Sequence, residues 1–307
     1  MTTAHGRIKG LVRRTGRSLS STLGITDQIE RTVPSAIRST EGVAKYFPDR
    51  SGNFSVLWAP TRVSGPFVEA DLPVPPPKLW MCFEGNEAEY RELGQRDVTT
   101  MRSLLAQAGY EPADGDGILD FGCAAGRMTR WLADIADRCD VWGTDIQEAH
   151  VDWCHEHLTP PFRFFTATTF PHLPMTDGAF RMVFAGSVFT NMAELADSWL
   201  LELHRVIEPG GFLYLTVHDR HSIEVIRSFP PEHKLHFLTQ QLEDLDRREH
   251  ILDEPWGVLT LRGTAFSTQV FHDVEFIRER WSSLFDVRVV EQDAYLFQTA
   301  LVLQRRA

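Results

Sequence analysis

Residues 118–131 read ILDFGCAAGRMTRW: an apolar run, an acid at Asp120, the small residues Gly122, Cys123, Ala124, Ala125 and Gly126, and then an amphipathic pattern. The order predicts a strand, a tight turn and the start of an amphipathic helix. Residues with little side chain let a ligand approach the backbone, and a helix start aims unpaired N–H groups and a positive dipole end at it. An anionic or polar cofactor is the expectation. A dinucleotide fingerprint would read G-x-G-x-x-G, whereas this turn reads Asp120-x-Gly122-x-Ala124-x-Gly126, with the acid two residues before the first glycine. That spacing argues against a nicotinamide-dependent oxidoreductase. A second acid, Asp145, ends the next apolar run nineteen residues after Gly126; a carboxylate at a strand end can accept both hydroxyls of a ribose.

These residues resemble the first motif, D/E-x-G-x-G-x-G, of the class I S-adenosylmethionine (SAM)-dependent methyltransferases, with Ala124 in place of the middle glycine. Three further stretches are similar to that family in order and spacing: Leu173-Pro174 before Asp177-Gly178, the run Ser187 to Thr190, and Arg205 to Gly211. Together they cover about 100 residues, Ile118 to Val217. The resemblance implies an α/β fold, a doubly wound, mostly parallel seven-stranded sheet of the Rossmann-like methyltransferase type, with SAM bound and S-adenosylhomocysteine (SAH) released.

Carried over by position, it implies that Gly122, Cys123, Ala124 and Gly126 line the methionine part of SAM and that Asp120 helps to hold its amino group. Arg127 would reach the carboxylate, Asp145 the ribose, Ile146 the adenine face and Thr168 the adenine edge, where family members often carry an acid instead. Ser187 and Phe189 would stand near the sulfonium. Methyl transfer is an in-line displacement that needs alignment and exclusion of water, and a hydroxyl acceptor also has a proton to lose. His218, at the end of the fifth strand of the motif region, is the candidate base, with Asp219 as its orienting partner; His221 and His272 are weaker candidates. His155 and His157 flank Glu156, but residues two apart on a helix do not share a face, so no metal is expected.

The chain of 307 residues, 43% hydrophobic and 24% charged, has an ordinary soluble composition. A net charge of −11 disfavours a duplex nucleic acid partner, whose phosphates call for a basic surface. Four cysteines, Cys82, Cys123, Cys139 and Cys154, form no C-x-x-C pair and read as reduced thiols of a cytoplasmic protein. No run has the roughly 20 apolar residues that cross a bilayer, and no secretory signal is recognisable. A basic arm over residues 1–30 suggests either peripheral membrane contact or a loosely docked terminus.

The elements that must position these residues follow from pattern. Residues 1–85 read as an N-terminal extension closed by the Pro-rich run Pro73 to Pro77, which cannot join a helix or a central strand. Residues 86–307 read as the methyltransferase domain. It opens with a helix over 86–108 bearing Tyr90, Leu93, Val98, Met101, Leu104 and Leu105 on one face. Strands and helices then alternate, with a reverse turn at Glu208-Pro209-Gly210-Gly211 and a strand from Phe212 to Val217. A cap or lid is expected at about 219–265, with a helix from Pro231 to about Leu245, before a helix and two strands close the sheet. The acceptor expected is a small molecule, through a hydroxyl oxygen of a sugar, lipid or specialised metabolite. The alternative is a non-catalytic SAM-binding protein of the same fold, suggested by Ala124.

Overall fold

The computed structural model describes residues 45–48, 54–58, 67–81, 83, 85–233, 235–250, 255–261 and 268–306. The basic arm lies outside the described residues, as does Cys82. Strands β1 (Lys45–Pro48) and β2 (Phe54–Trp58) pair antiparallel as a separate ribbon.

The first helix, α1 (Glu87–Gln107), starts at Asn86, whose side chain accepts the backbone N–H of Glu89 at 3.1 Å. Beyond it come β3 (Gly117–Phe121), β4 (Asp140–Asp145), α2 (Glu148–His157), β5 (Arg163–Thr166), β6 (Phe180–Ala185), α3 (Ala196–Val206) and β7 (Ile207–Val217). Then follow α4 (Arg220–Arg227), α5 (His236–Glu249), the pair β8 (Val258–Leu261) and β9 (Gln269–His272), α6 (Val274–Arg280), β10 (Phe285–Tyr295) and β11 (Gln298–Arg305).

Seven strands form one sheet in the order β10-β11-β7-β6-β3-β4-β5. Pairing is parallel from β7 through β6, β3 and β4 to β5, and antiparallel where β11 meets β7 and β10. Successive residues of the central strands serve opposite faces. Ile118, Met182 and Tyr214 pack towards Val98, Met101 and Leu105 of α1, whereas Leu119, Val183 and Leu215 pack towards Trp199 and Leu203 of α3 and Ile277 of α6. Both faces are therefore covered, which is why these strands read as continuous apolar runs. The strand order reverses at β3, flanked by β4 and β6, so a crevice at its carboxyl end is where an open parallel sheet takes its ligand.

Three local expectations change. The segment after the small-residue turn is a 3-10 helix, Thr129–Ile135, and not an α-helix. It is tightened by bonds such as Trp131 N–H to Met128 C=O and held by Arg130, whose buried guanidinium bonds Glu69 and the carbonyl of Pro73 at 2.9 Å. The Pro-Gly-Gly turn survives only as a bulge inside a continuous β7: Phe180 pairs with Ile207 but Met182 already pairs with Phe212, and Gly210 takes φ 77. The helix expected from Pro231 begins instead at His236, because Pro230 and Pro231 enter a turn closed by His233 N–H to Pro230 C=O.

Helix α1 lies so close to the segment after β3 that a Cβ on Gly94 would stand 2.6 Å from the Arg127 carbonyl oxygen and 2.9 Å from the Trp131 ring nitrogen. Helix propensity alone favours Gly94→Ala by about 1 kcal/mol. Here the overpacking should dominate, and the variant is expected to lose about 1–3 kcal/mol in urea unfolding; an unchanged or higher midpoint would show that α1 moves away freely.

Candidate active site

The turn after β3 is built from alternating left-handed residues: Gly122 (φ 85), Ala124 (φ 45) and Gly126 (φ 75). Space repeats the demand for glycine at the outer two, since a Cβ would stand 2.4 Å from Val188 at Gly122 and 2.6 Å from Leu158 at Gly126. The N–H groups of Gly122 and Cys123 both donate to the Thr144 carbonyl, at 2.8 and 2.9 Å. Asp145, at the end of β4, accepts the Ala124 N–H through Oδ2 and the Gln147 N–H through Oδ1, each at 2.9 Å. Each carboxylate oxygen keeps a second lone pair for a ligand. The N–H groups of Gly122, Cys123, Ala124 and Gly126 are all spent within the protein, so the Asp145 carboxylate, rather than an α-helix dipole, is what the turn presents.

Asp120 lies beneath the turn, 3% exposed, and accepts Thr129 Oγ1–H at 2.6 Å. Burial pushes its carboxyl from 3.8 to about 7, against the Thr129 hydrogen bond and the charge of Arg127. Arg127 is buried. It pairs with Asp97 of α1 at 2.8 Å, bonds the Tyr295 hydroxyl and sits 4.1 Å over the Phe83 ring, leaving Nη1 without a hydrogen-bond partner. Its main contacts thus join α1, β10 and the segment before α1, and only Nη1 is left for a ligand carboxylate.

At the next strand ends, Ile146 is 51% and Phe170 77% exposed. Met81, also exposed, takes a contact from Gln147 Nε2 to its sulfur at 3.3 Å. Thr168 is exposed and its hydroxyl accepts the Phe170 N–H at 3.2 Å. Neither Phe170 nor Met81 belongs to a periodic run, so their place beside these strand ends was not legible. Beyond β6, Ser187 takes φ 60; its N–H donates to Thr216 Oγ1 at 2.7 Å and its Oγ accepts Gln298 Nε2–H at 2.9 Å. Phe189 does not join this group. It is wholly buried, its ring edge-on to Trp281 at 6.0 Å, because α6 closes over that side of the sheet.

His218 directly follows β7 and is 3% exposed. Its ring stacks on Phe297 at 5.3 Å and lies beside Phe271 at the same distance. Burial and the neighbouring His272 lower its proton affinity, to about 4, against the hydrogen bond to Gln269; His272 is likewise lowered to about 4 by burial. Both rings are neutral at physiological pH. Asp219 does not orient His218: Oδ1 accepts the Ser222 N–H at 3.0 Å as the cap of α4, and Oδ2 accepts the Thr299 hydroxyl at 2.8 Å. His221 faces Asp293 at 2.8 Å. Among the described residues no cluster of three His, Cys, Asp or Glu side chains could hold a metal ion, and no helix is long and apolar enough to cross a membrane. A cavity of about 430 Å³ beside α1, lined by Phe67, Val98, Trp131 and Asp134 among others, contains none of the candidate residues.

Residues 119–215, which run from β3 to β7 and carry this turn, match a family described as a methyltransferase domain. Over this segment the chain is similar to that family. The match agrees with the resemblance that the motifs carry over this segment. The domain is similar to a probable methyltransferase of Arabidopsis thaliana, 27% identical over 146 residues, covering 45% of this chain and 23% of that protein. The chain therefore spans about a quarter of that curated relative. Solved structures similar to it include a Pyrococcus horikoshii OT3 protein, PH0226 (18% identity, TM-score 0.48, 72% of this chain and 93% of that one). Another is the magnesium protoporphyrin IX methyltransferase of Synechocystis PCC 6803 with bound SAH (16% identity, TM-score 0.47, 74% and 91%). The fold rests on the chain's own strand order and register.

Two measurements test this site. An alanine in the left-handed region carries a strain of about 1–2 kcal/mol, so Ala124→Gly is expected to stabilise the domain by about 1 kcal/mol and raise its thermal midpoint by a few degrees. A lowered midpoint would show that Ala124 is not held left-handed. The folded state keeps a proton on Asp120 that the unfolded chain has lost, so ionising it costs stability as pH rises towards and through about 7. The stability of wild type minus that of Asp120→Asn is therefore expected to fall between pH 5 and 8. His218 and His272 act oppositely below their ordinary range but cancel in the difference, and a flat difference would mean an Asp120 ionised throughout.

Proposed function

We propose that this chain binds SAM at the carboxyl ends of β3, β4, β5 and β6 and methylates a small-molecule acceptor at a hydroxyl oxygen, the acceptor being a sugar, lipid or specialised metabolite. The observation that carries the reading is Asp145: a carboxylate anchored by two backbone N–H groups, with lone pairs to spare, beside a left-handed turn and an exposed Ile146. These residues fit an adenosyl ligand by their chemistry. Asp145 would take the ribose hydroxyls, Ile146 and Phe170 offer apolar faces for a purine, Thr168 would meet its edge, and the Arg127 Nη1, without a hydrogen-bond partner, would meet a carboxylate. Gly122, Cys123, Ala124 and Gly126 would line the aliphatic part, and Asp120, below them, would support the amino group. Ser187, fixed by Thr216 and Gln298, would stand beside the reacting end.

SAM supplies a methyl group already activated by its sulfonium. The protein's share is alignment, dryness and a destination for the acceptor's proton. Strand β9 contributes dryness: Val270 N–H donates to the Thr190 carbonyl at 2.8 Å and His272 N–H to that of His218 at 2.7 Å, so the β8–β9 pair is stitched over the ends of β6 and β7. His218, neutral and buried beneath it, is the base in this reading. We take 86–307 as the catalytic unit with 219–265 as its cap, acting in the cytoplasm on a free small molecule. Support for a small acceptor is the acidic charge of −11 and the neutral, aromatic surroundings of His218.

Calorimetry with SAM and SAH should show one site on the wild type. Asp145→Ala should weaken it by about 1–3 kcal/mol, the scale for leaving buried polar groups unpaired. A folded wild type that binds neither molecule would overturn the reading.

A further inference from the structure

His218 Nε2 lies 3.1 Å from Gln269 Oε1, a carbonyl oxygen that can only accept. That contact calls for a hydrogen on Nε2, and in a neutral imidazole the other nitrogen, Nδ1, is then a bare lone pair. Nδ1 is buried and has no hydrogen-bond partner. An acceptor atom left alone between the rings of Phe271 and Phe297 is costly unless a donor reaches it.

We infer that Gln269 is a positioning residue that fixes His218 as the Nε2–H tautomer, so that Nδ1 is the lone pair that takes the proton of the acceptor's hydroxyl. The inference rests on the base role given to His218 in the reading above. The donor that fills this vacancy is an O–H, whose proton passes to Nδ1 as its oxygen becomes methylated; a carboxylate or thioether acceptor would bring no proton. Gln269 belongs to β9, and β9 is held by Thr190 and His218 through its own backbone. Seating of the cap and tautomer selection are consequently one event: displace β9 and the imidazole loses its orientation together with its cover.

The test is long-range 15N–1H NMR of 15N-histidine-labelled full chain, with the His218 signals assigned by their loss in His218→Asn. The wild type at pH 7.5 is expected to show a protonated Nε2 and an unprotonated Nδ1. Gln269→Leu should bring the two nitrogens towards averaged, mixed-tautomer shifts. Gln269→Glu keeps an obligate acceptor, so it should retain the Nε2–H tautomer and raise the proton affinity of His218 at least tenfold in a pH titration. A wild type with Nδ1–H, or a Gln269→Leu spectrum identical to the wild type, overturns the inference. Should Gln269→Leu fail to fold, Gln269→Glu decides alone, and an unmoved titration there overturns it. SAH calorimetry on the same samples separates the two claims: absent binding with the expected tautomer removes the cofactor reading, whereas unchanged binding with the wrong tautomer removes only the role of Gln269.

Discussion

The Asp145 carboxylate is the contact on which the site depends. One oxygen holds the turn after β3 by the Ala124 N–H, and the other holds the entry to α2 by the Gln147 N–H. Charge-assisted bonds of this kind are about twice as strong as neutral ones, and these two fix elements that parallel pairing of β3 with β4 has already made adjacent. The turn can then afford three left-handed residues in a row of five, one of them an alanine. Strain at such a place persists only where the surroundings over-determine it, and here the Thr144 carbonyl, taking two N–H groups, adds the remaining restraint.

Two buried guanidiniums hold the far side of the turn. Arg127 reaches Asp97 and Tyr295, and Arg130 reaches Glu69 and the carbonyls of Leu72 and Pro73. Desolvating such cations is costly, and pairing only roughly offsets it. Their contribution is better understood as placement. They bind the segment 67–83 and α1 to the loop that would hold the cofactor, and Trp80, stacked on Tyr90 at 5.0 Å, completes that seam with an apolar contact.

How much of this was legible follows the range of the forces involved. The turn, Asp145 and the alternation from β3 to β7 could be read because a glycine, a strand-end acid and an apolar run declare themselves locally. The close of the sheet by a helix and two strands was legible in kind, and α6, β10 and β11 supply it. Arg127 reads as a ligand contact from its position after the turn, while Asp97, thirty residues earlier on a helix, gives no sign in the sequence that it is the partner. Asp219 was adjacent to His218 and so seemed its natural companion, but a residue opening a helix serves the helix first. Gln269 was invisible for the opposite reason: it is 51 residues from His218 and comes beside it only when β9 lies across the strand ends.

The cap is a closed excursion from the sheet. It leaves at Asp219 and returns at Asp273, and Arg220 binds that return with a 2.9 Å contact to Asp273 while lying 4.8 Å over the Trp256 ring. Between those points α4, α5, β8 and β9 bury an apolar cluster of their own, built from Ile223, Ile226, Leu238, Leu242, Leu261 and Phe271. An insertion with its own core, tied to the sheet ends through Thr190 and His218 rather than to the turn, can change its inner surface without disturbing Gly122, because packing couples chiefly residues in contact. The acceptor's identity would then be written in α5 and the β8–β9 pair, while the position of the methyl donor stays written in β3 and β4. His218 stands where the two meet: it directly follows β7, its carbonyl accepts the His272 N–H, and its ring lies between Phe271 of β9 and Phe297 between β10 and β11.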